Sequence, residues 1–185
     1  MRDALIAMGL VVGTFLLLVL QEFIPPMGFL SDARVNLIPV LFCYGAMILP
    51  FPLMLVLAVA IGLMSDLATL QVVGGSAEIG LGWSVLFYLF VGLICQGLRP
   101  LVLRGHWELH TLMSASAAIS LPALQFAMIT FRRMEAGGIF YSSDVTWKIL
   151  GPGIITLFVA PVFWFAVTWV VGRSSGFQRM REIER

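Results

Sequence analysis

The amino-acid sequence predicts an all-α, polytopic integral membrane protein: a bundle of six transmembrane helices, with five helices as the alternative. Two observations predict this class. Sixty per cent of the 185 residues are apolar and 11% are charged, whereas a soluble domain is about 45–50% apolar and about 25% charged. The charged residues also lie mostly between or beyond long uncharged runs. Soluble, disordered and nucleic-acid-binding proteins are therefore excluded.

Four uncharged runs each predict one membrane span, because about 20 apolar residues cross about 30 Å of hydrocarbon. They cover residues 4–21, 79–98, 111–131 and 149–172. We expect the first of them to be a retained anchor and not a cleaved signal peptide, since no small-residue cleavage site follows it. A glycine-rich connector over residues 73–80 precedes the second.

The run over residues 35–65 is ambiguous, because its 31 residues are too many for one upright helix and few for two. Pro50 and Pro52 lie near its middle, and each proline removes a backbone donor and disfavours helix at the preceding residue. We therefore predict a tight turn there, between a short helix over 35–49 and a longer one over 51–71. One span over this run is the five-helix alternative.

The positions of lysine and arginine predict the orientation, because cytoplasmic loops of membrane proteins are rich in these residues. With six spans, the side that carries both termini holds Arg2, Arg99, Arg104, Arg173, Arg179, Arg181 and Arg185. The other side holds Arg34, Arg132, Arg133 and Lys148. Both termini are therefore predicted to be cytoplasmic. Residues 1–172 would form a single transmembrane domain, and residues 173–185 a short basic cytoplasmic tail.

Asp66 is the one acidic residue within a predicted span, and an ionisable residue in the membrane is a functional candidate by default because its burial is costly. Gly62 lies one turn earlier on the same helix face, where a missing side chain lets a neighbouring helix approach the carboxylate. The pair predicts a polar lock between helices or a ligand for a partner. The alternative is an acid that marks the membrane interface at the helix end.

Arg34 and Asn36 open the second predicted helix. Arg34 would be an anchor at the outer leaflet. Asn36 would cap the helix or form a hydrogen bond to another span. With six spans, Asn36 and Asp66 both lie toward the outer face, and we hypothesise that they face each other.

No motif for catalysis or metal binding accompanies these residues. The sequence holds neither a His-Glu-x-x-His zinc motif nor a Gly-x-Ser-x-Gly nucleophile elbow. His106 and His110 are predicted to share one loop, while Cys43 and Cys95 are expected to be buried as small hydrophobic residues. We therefore expect a non-enzymatic protein with no cofactor, metal site or disulfide. Polar residues do not form rows along the spans, which argues against ion transport.

Three features follow one another along the middle of the chain. The segment 33–39 (ARVNLIP) precedes an apolar helix that ends at Pro50, and the segment 60–67 (AIGLMSDL) comes after it. Their order and spacing resemble the rod shape-determining protein MreD family, over residues 30–98. The loop over 132–147 is longer than we associate with that family, which puts the packing of the last two helices in question.

The resemblance implies a non-enzymatic, multi-pass protein of the bacterial inner membrane. Members of that family belong to the cell-elongation machinery and work with MreC, the actin-like MreB filaments, and the peptidoglycan polymerase and transpeptidase. The implied function is to help position and regulate peptidoglycan synthesis along the cell cylinder.

A different class is the alternative, since small six-span proteins also resemble the substrate-binding S component of energy-coupling-factor vitamin transporters. Such a protein binds a small molecule in a pocket open to the outer face, and it docks on its transporter through patches of small residues. Asn36, Asp66 and Glu78 are the candidates for the pocket, and residues 114–118 (SASAA) for the patch. Three polar groups are few for a vitamin, so we favour the first interpretation.

Overall fold

The computed structural model describes residues 2–24, 36–69, 72–73, 76–77, 81–103, 106–134 and 143–172. These residues form, in order, α1 (Arg2–Phe23), α2 (Ile38–Ile48), α3 (Phe51–Ala68), β1 (Val72–Val73), β2 (Ser76–Ala77), α4 (Trp83–Leu103), α5 (Glu108–Met134) and α6 (Ser143–Gly172). The predicted helical class is confirmed. The exception is the short strand pair, two residues long on each side and antiparallel, which lies in the predicted glycine-rich connector.

Five of the described helices, α1 and α3 to α6, are long and apolar enough to cross a membrane. The remaining helix, α2, has 11 residues and is about 16 Å long at 1.5 Å per residue. The break between α2 and α3 falls at the predicted prolines. Pro50 is extended and Pro52 lies in the first turn of α3, a position that tolerates proline because its N–H would have no helical partner.

The start of α5 differs from the prediction. The uncharged run began at Thr111, but the helix begins at Glu108, because an acidic side chain in the first turn interacts favourably with the helix dipole. The prediction that His106 and His110 share a loop is therefore wrong for His110. That residue lies in α5 and is fully buried, whereas His106 precedes the helix and is exposed.

Two antiparallel helix pairs build most of the bundle. In the first, Gly62 near the end of α3 adjoins Val85 near the start of α4. In the second, His110 near the start of α5 adjoins Trp164 in the second half of α6, and Gly153 in the first half of α6 adjoins Ile119 of α5. α5 and α6 are in extensive contact with each other.

The short helix α2 lies at the centre of the bundle, since it contacts each of the five other described helices. Ten of its 11 residues are buried. α1 runs antiparallel to it, with Leu10 against Gly45 and Gly13 against Leu41. The largest fully buried side chains in and around α2 are Phe42, Met47, Leu49, Met54, Leu57, Ile61, Tyr88 and His110.

The outer surface of the bundle is apolar. Large hydrophobic side chains are exposed along α1, α3, α4 and α6, among them Phe23, Phe90 and Phe158. A soluble monomer does not expose continuous apolar surface on this scale. Trp147 and Trp169, near the two ends of α6, are exposed as well, and tryptophan favours the two membrane interfaces. These features identify a multi-pass membrane protein.

Candidate functional site

The carboxylate of Asp66 joins the end of α3 to the start of α4. It is 6% exposed. Its Oδ2 atom accepts a hydrogen bond from the Gly82 N–H at 2.6 Å, and its Oδ1 atom accepts one from the Ser84 N–H at 3.2 Å. The first N–H groups of a helix have no partner within the helix, and negative charge is favoured there. Asp66 is therefore an N-cap supplied from another helix.

Gly82 presents its N–H to this carboxylate from an unusual backbone conformation. Its φ is +103°, in the region that glycine adopts freely and other residues rarely do. The turn into α4 and the hydrogen bond to Asp66 therefore depend on glycine at this position.

Gly62 lets the two helices come close enough for this cap. A Cβ atom at this position would lie 2.5 Å from the Cα atom of Val85 and 2.6 Å from its nitrogen. Backbone cannot yield to such an overlap as a flexible side chain can, so only glycine fits without moving α4. Gly62 and Asp66 together form what we call the α3–α4 clasp. Both carboxylate oxygens accept hydrogen bonds within this chain.

Asn36 lies at the start of α2. Its Oδ1 atom accepts a hydrogen bond from the Ile38 N–H at 3.3 Å, in the first turn of that helix. Its carbonyl oxygen lies 3.4 Å from the hydroxyl oxygen of Thr156 in α6, whose single proton is donated mainly to the Pro152 carbonyl at 2.7 Å. Asn36 thus caps α2 and contacts α6, and none of its described hydrogen bonds involves Asp66. Arg34 lies outside the described residues.

The end of α2 lacks two backbone donors. In an α-helix, each carbonyl accepts from the N–H four residues later. The carbonyls of Ala46 and Ile48 would need the N–H groups of residues 50 and 52, and both residues are prolines, which have none. Unpaired carbonyls are costly in a membrane, where no water replaces the missing donor.

Two side chains of α4 supply the missing donors. The Gln96 amide nitrogen donates to the Ala46 carbonyl at 2.8 Å and to the Leu49 carbonyl at 2.9 Å. The Arg99 guanidinium donates to the Ile48 carbonyl at 3.4 Å. Our sequence analysis missed Gln96. The available signal was the proline pair, which predicts orphan carbonyls and therefore a polar donor on a neighbouring helix.

We expect Gln96→Leu to lower the free energy of unfolding by about 2 kcal/mol, because two partly buried carbonyls lose their donor. Unfolding by SDS in mixed micelles measures this change. Gln125→Leu is the matched control, since Gln125 of α5 is also half-buried but makes no hydrogen bond to a described residue. Equal losses in the two variants would contradict the role given to Gln96.

His110 lies in an aromatic cluster that joins α2, α5 and α6. Its Nε2 atom lies 3.3 Å from the Val40 carbonyl oxygen of α2. Its ring centroid is 5.0 Å from that of Trp164 and 6.3 Å from that of Tyr44. A backbone carbonyl only accepts hydrogen bonds, so Nε2 is the donor. We missed this residue because it lies just before the apolar run that begins at Thr111 and was assigned to the preceding loop.

Comparisons of the whole chain with models of protein families, with curated proteins and with solved structures give no match. Among the described residues, no group of three or more His, Cys, Asp or Glu side chains is placed to hold a metal ion. The clasp and the two ends of α2 are therefore the features on which a functional proposal for this chain rests.

Proposed function

We propose that this chain is a non-enzymatic, multi-pass subunit of the bacterial cell-elongation complex in the cytoplasmic membrane, acting as members of the MreD family do. In this proposal it contacts an MreC-like protein and the peptidoglycan polymerase and transpeptidase, and it helps position wall synthesis relative to MreB filaments. The chain acts by holding partners in place, so its own helices must keep a fixed arrangement.

The single observation that supports this proposal best is the position of the residues that carry the resemblance to the MreD family. Asn36, Pro50, Gly62 and Asp66 all lie where one helix meets another: at the start of α2, at the α2–α3 turn and in the α3–α4 clasp. Each of them determines how α2, α3 and α4 are joined. Proteins with these residues in this order would therefore share the same arrangement of α2, α3 and α4.

The proposal includes six membrane segments with both termini in the cytoplasm. Its support is the alternation of helix directions, with α1 against α2, α3 against α4 and α5 against α6. Because α2 is enclosed by the other helices, it does not need to match the hydrocarbon thickness. The excess of arginine on the side of both termini is the reason for proposing that this side is cytoplasmic.

The transporter alternative is less well supported by the packing of α5. Docking would need the small residues at 114–118 on the surface. Four of them, Ser114, Ala115, Ala117 and Ala118, are buried within the bundle, and Ser116 is exposed. The main-chain carbonyl of Ala115 adjoins Gly153 of α6, so this patch packs one helix against another.

Photo-crosslinking in native membranes tests the proposal. The crosslinking amino acid is placed at one exposed position on each of four outer helices, Leu16, Leu63, Phe90 and Phe158, and partners are identified by mass spectrometry. Leu57, which is fully buried, is the control position and should give no partner. We expect an MreC-like protein or a wall synthase from at least one face. Recovery of ATP-binding-cassette ATPases, or of no partner from any face, would contradict the proposal.

A further inference from the structure

Several hydroxyl groups in the described helices bond to the carbonyl of the preceding turn, which is the usual partner for a helical serine or threonine. The pairs are Thr14 with Leu10, Thr69 with Ser65, Ser120 with Ser116 and Thr156 with Pro152, at 2.7–2.9 Å. Ser65, Thr111 and Ser114 depart from this pattern. Their hydroxyl oxygens are buried and make no hydrogen bond within the part of the chain that the structure describes.

Two more buried polar atoms share this property. The Tyr88 hydroxyl of α4 and the Nδ1 atom of His110 have no hydrogen-bond partner among the described residues. Both side chains are 0% exposed. Since the Nε2–H of His110 donates to the Val40 carbonyl, Nδ1 carries a lone pair and is an acceptor. Buried polar atoms in native proteins are almost always paired with protein or with ordered water.

These groups come from α2, α3, α4 and α5, and α2 packs against each of the other three. The Tyr88 hydroxyl lies beside Ser65 of α3 and near the Cys43 thiol of α2. Cys43 in turn interacts with Ser114 of α5, and Ser114 lies one turn after His110 on the same helix face. We call these five residues, Ser65, Tyr88, Cys43, Ser114 and His110, the polar seam. Our sequence analysis found no row of polar residues, because the seam takes one or two residues from each helix.

We infer that the polar seam binds internal water, with one water molecule donating to Nδ1 of His110 and others joining the hydroxyls of Ser114, Tyr88 and Ser65. Buried hydroxyls and ring nitrogens that lack a protein partner are the groups that a bridging water joins. A buried water typically makes about three hydrogen bonds to such groups. The seam supplies both donors and acceptors, whereas the apolar side chains around it supply neither. This inference does not rest on the proposed function.

Solid-state NMR of the full chain in lipid vesicles tests the inference. With ¹⁵N-labelled histidine, only His106 and His110 give signals, and His106→Gln leaves His110 alone. We expect magnetisation to pass from water to the Nδ1 atom of His110, although the residue is buried. The inference would be overturned if no magnetisation reached His110 at mixing times that saturate the signal of the exposed His106 in the unmodified chain.

A variant pair locates the water. Ser114→Ala should slow the transfer to His110 about twofold or more, because the water loses one of about three hydrogen bonds. Ser116→Ala is the control, since Ser116 is exposed and bonds to the Met113 carbonyl, and it should leave the rate unchanged. An unchanged rate in Ser114→Ala would contradict the seam as described. Both substitutions introduce a strong helix former, so the fold is retained.

Discussion

Asp66→Ala should lower the free energy of unfolding by about 2–3 kcal/mol. The substitution leaves the N–H groups of Gly82 and Ser84 without their acceptor at the start of α4. Loss of an N-cap costs about 0.5–2 kcal/mol, and here two N–H groups lose their acceptor at once, each at a cost of about 1–3 kcal/mol if it stays buried. SDS unfolding in mixed micelles measures the loss, and limited proteolysis near residues 81–84 should become faster in the same variant.

Two further variants serve as comparisons for Asp66→Ala. Asp66→Asn keeps one acceptor oxygen and nearly the same volume, so it should retain about half of the stabilisation. Asp3→Ala removes an exposed acid at the start of α1 and should change the free energy of unfolding by less than about 0.5 kcal/mol. If Asp66→Ala were as mild as Asp3→Ala, Asp66 would not be a structural cap.

The same substitution also tests the link between fold and proposed function. If the α3–α4 clasp maintains the surface that partners recognise, Asp66→Ala should reduce crosslinking to the MreC-like partner while the protein is still inserted in the membrane. Asp66→Asn should reduce it less. Full crosslinking with a broken clasp would show that partner binding does not depend on this junction.

Gly62→Ala should destabilise the protein by about 1–3 kcal/mol, although alanine is normally the better helix former. The added methyl group would lie 2.5 Å from the Val85 Cα atom, so α4 must move away from α3. That movement would also lengthen the hydrogen bonds that Asp66 accepts. The free energy of SDS unfolding is the measurement, and proteolysis near residues 81–84 should again become faster.

Gly97→Ala is the matched control for this prediction. Gly97 lies in the exposed part of α4, and nothing would meet an added Cβ atom within 4 Å. Here the substitution should leave the stability unchanged or raise it by about 0.5–1 kcal/mol, as expected for replacing an exposed helical glycine. Stability changes of opposite sign at Gly62 and Gly97 would establish the close approach of α3 and α4 as the cause of the loss at Gly62. The same sign at both positions would refute it.

Much of the framework around these two residues could be predicted from local sequence. Hydrophobic runs were enough to place the long apolar helices, because crossing a bilayer requires about 20 apolar residues and internally satisfied backbone groups. The break at Pro50 was also predictable, since the missing N–H and fixed φ are local properties of proline. Gly62 and Asp66 were recognisable as candidates from their spacing of one helical turn.

The partners of these residues could not be predicted. Sequence spacing places Asp66 near the end of a helix, but only the packing of α3 on α4 brings its oxygens to the Gly82 and Ser84 N–H groups. The hypothesis that Asn36 faces Asp66 stays a prediction: the described hydrogen bond of the Asn36 side chain is to the Ile38 N–H, and its main-chain carbonyl lies near Thr156. Such pairings depend on helix rotation and depth, which hydrophobicity does not specify because lipid and core are both apolar.

The amino-acid sequence was therefore sufficient to predict the class of protein, the long apolar helices and the break between α2 and α3. Helix packing was needed to show that the shortest helix is the central one, that Gln96 and Arg99 satisfy its last carbonyls, and that His110 lies in the core. The difference arises from the range of the interactions. Hydropathy and proline act within one segment, whereas the cap of α4 and the orphan carbonyls of α2 are completed by groups 16 to 51 residues away in the chain.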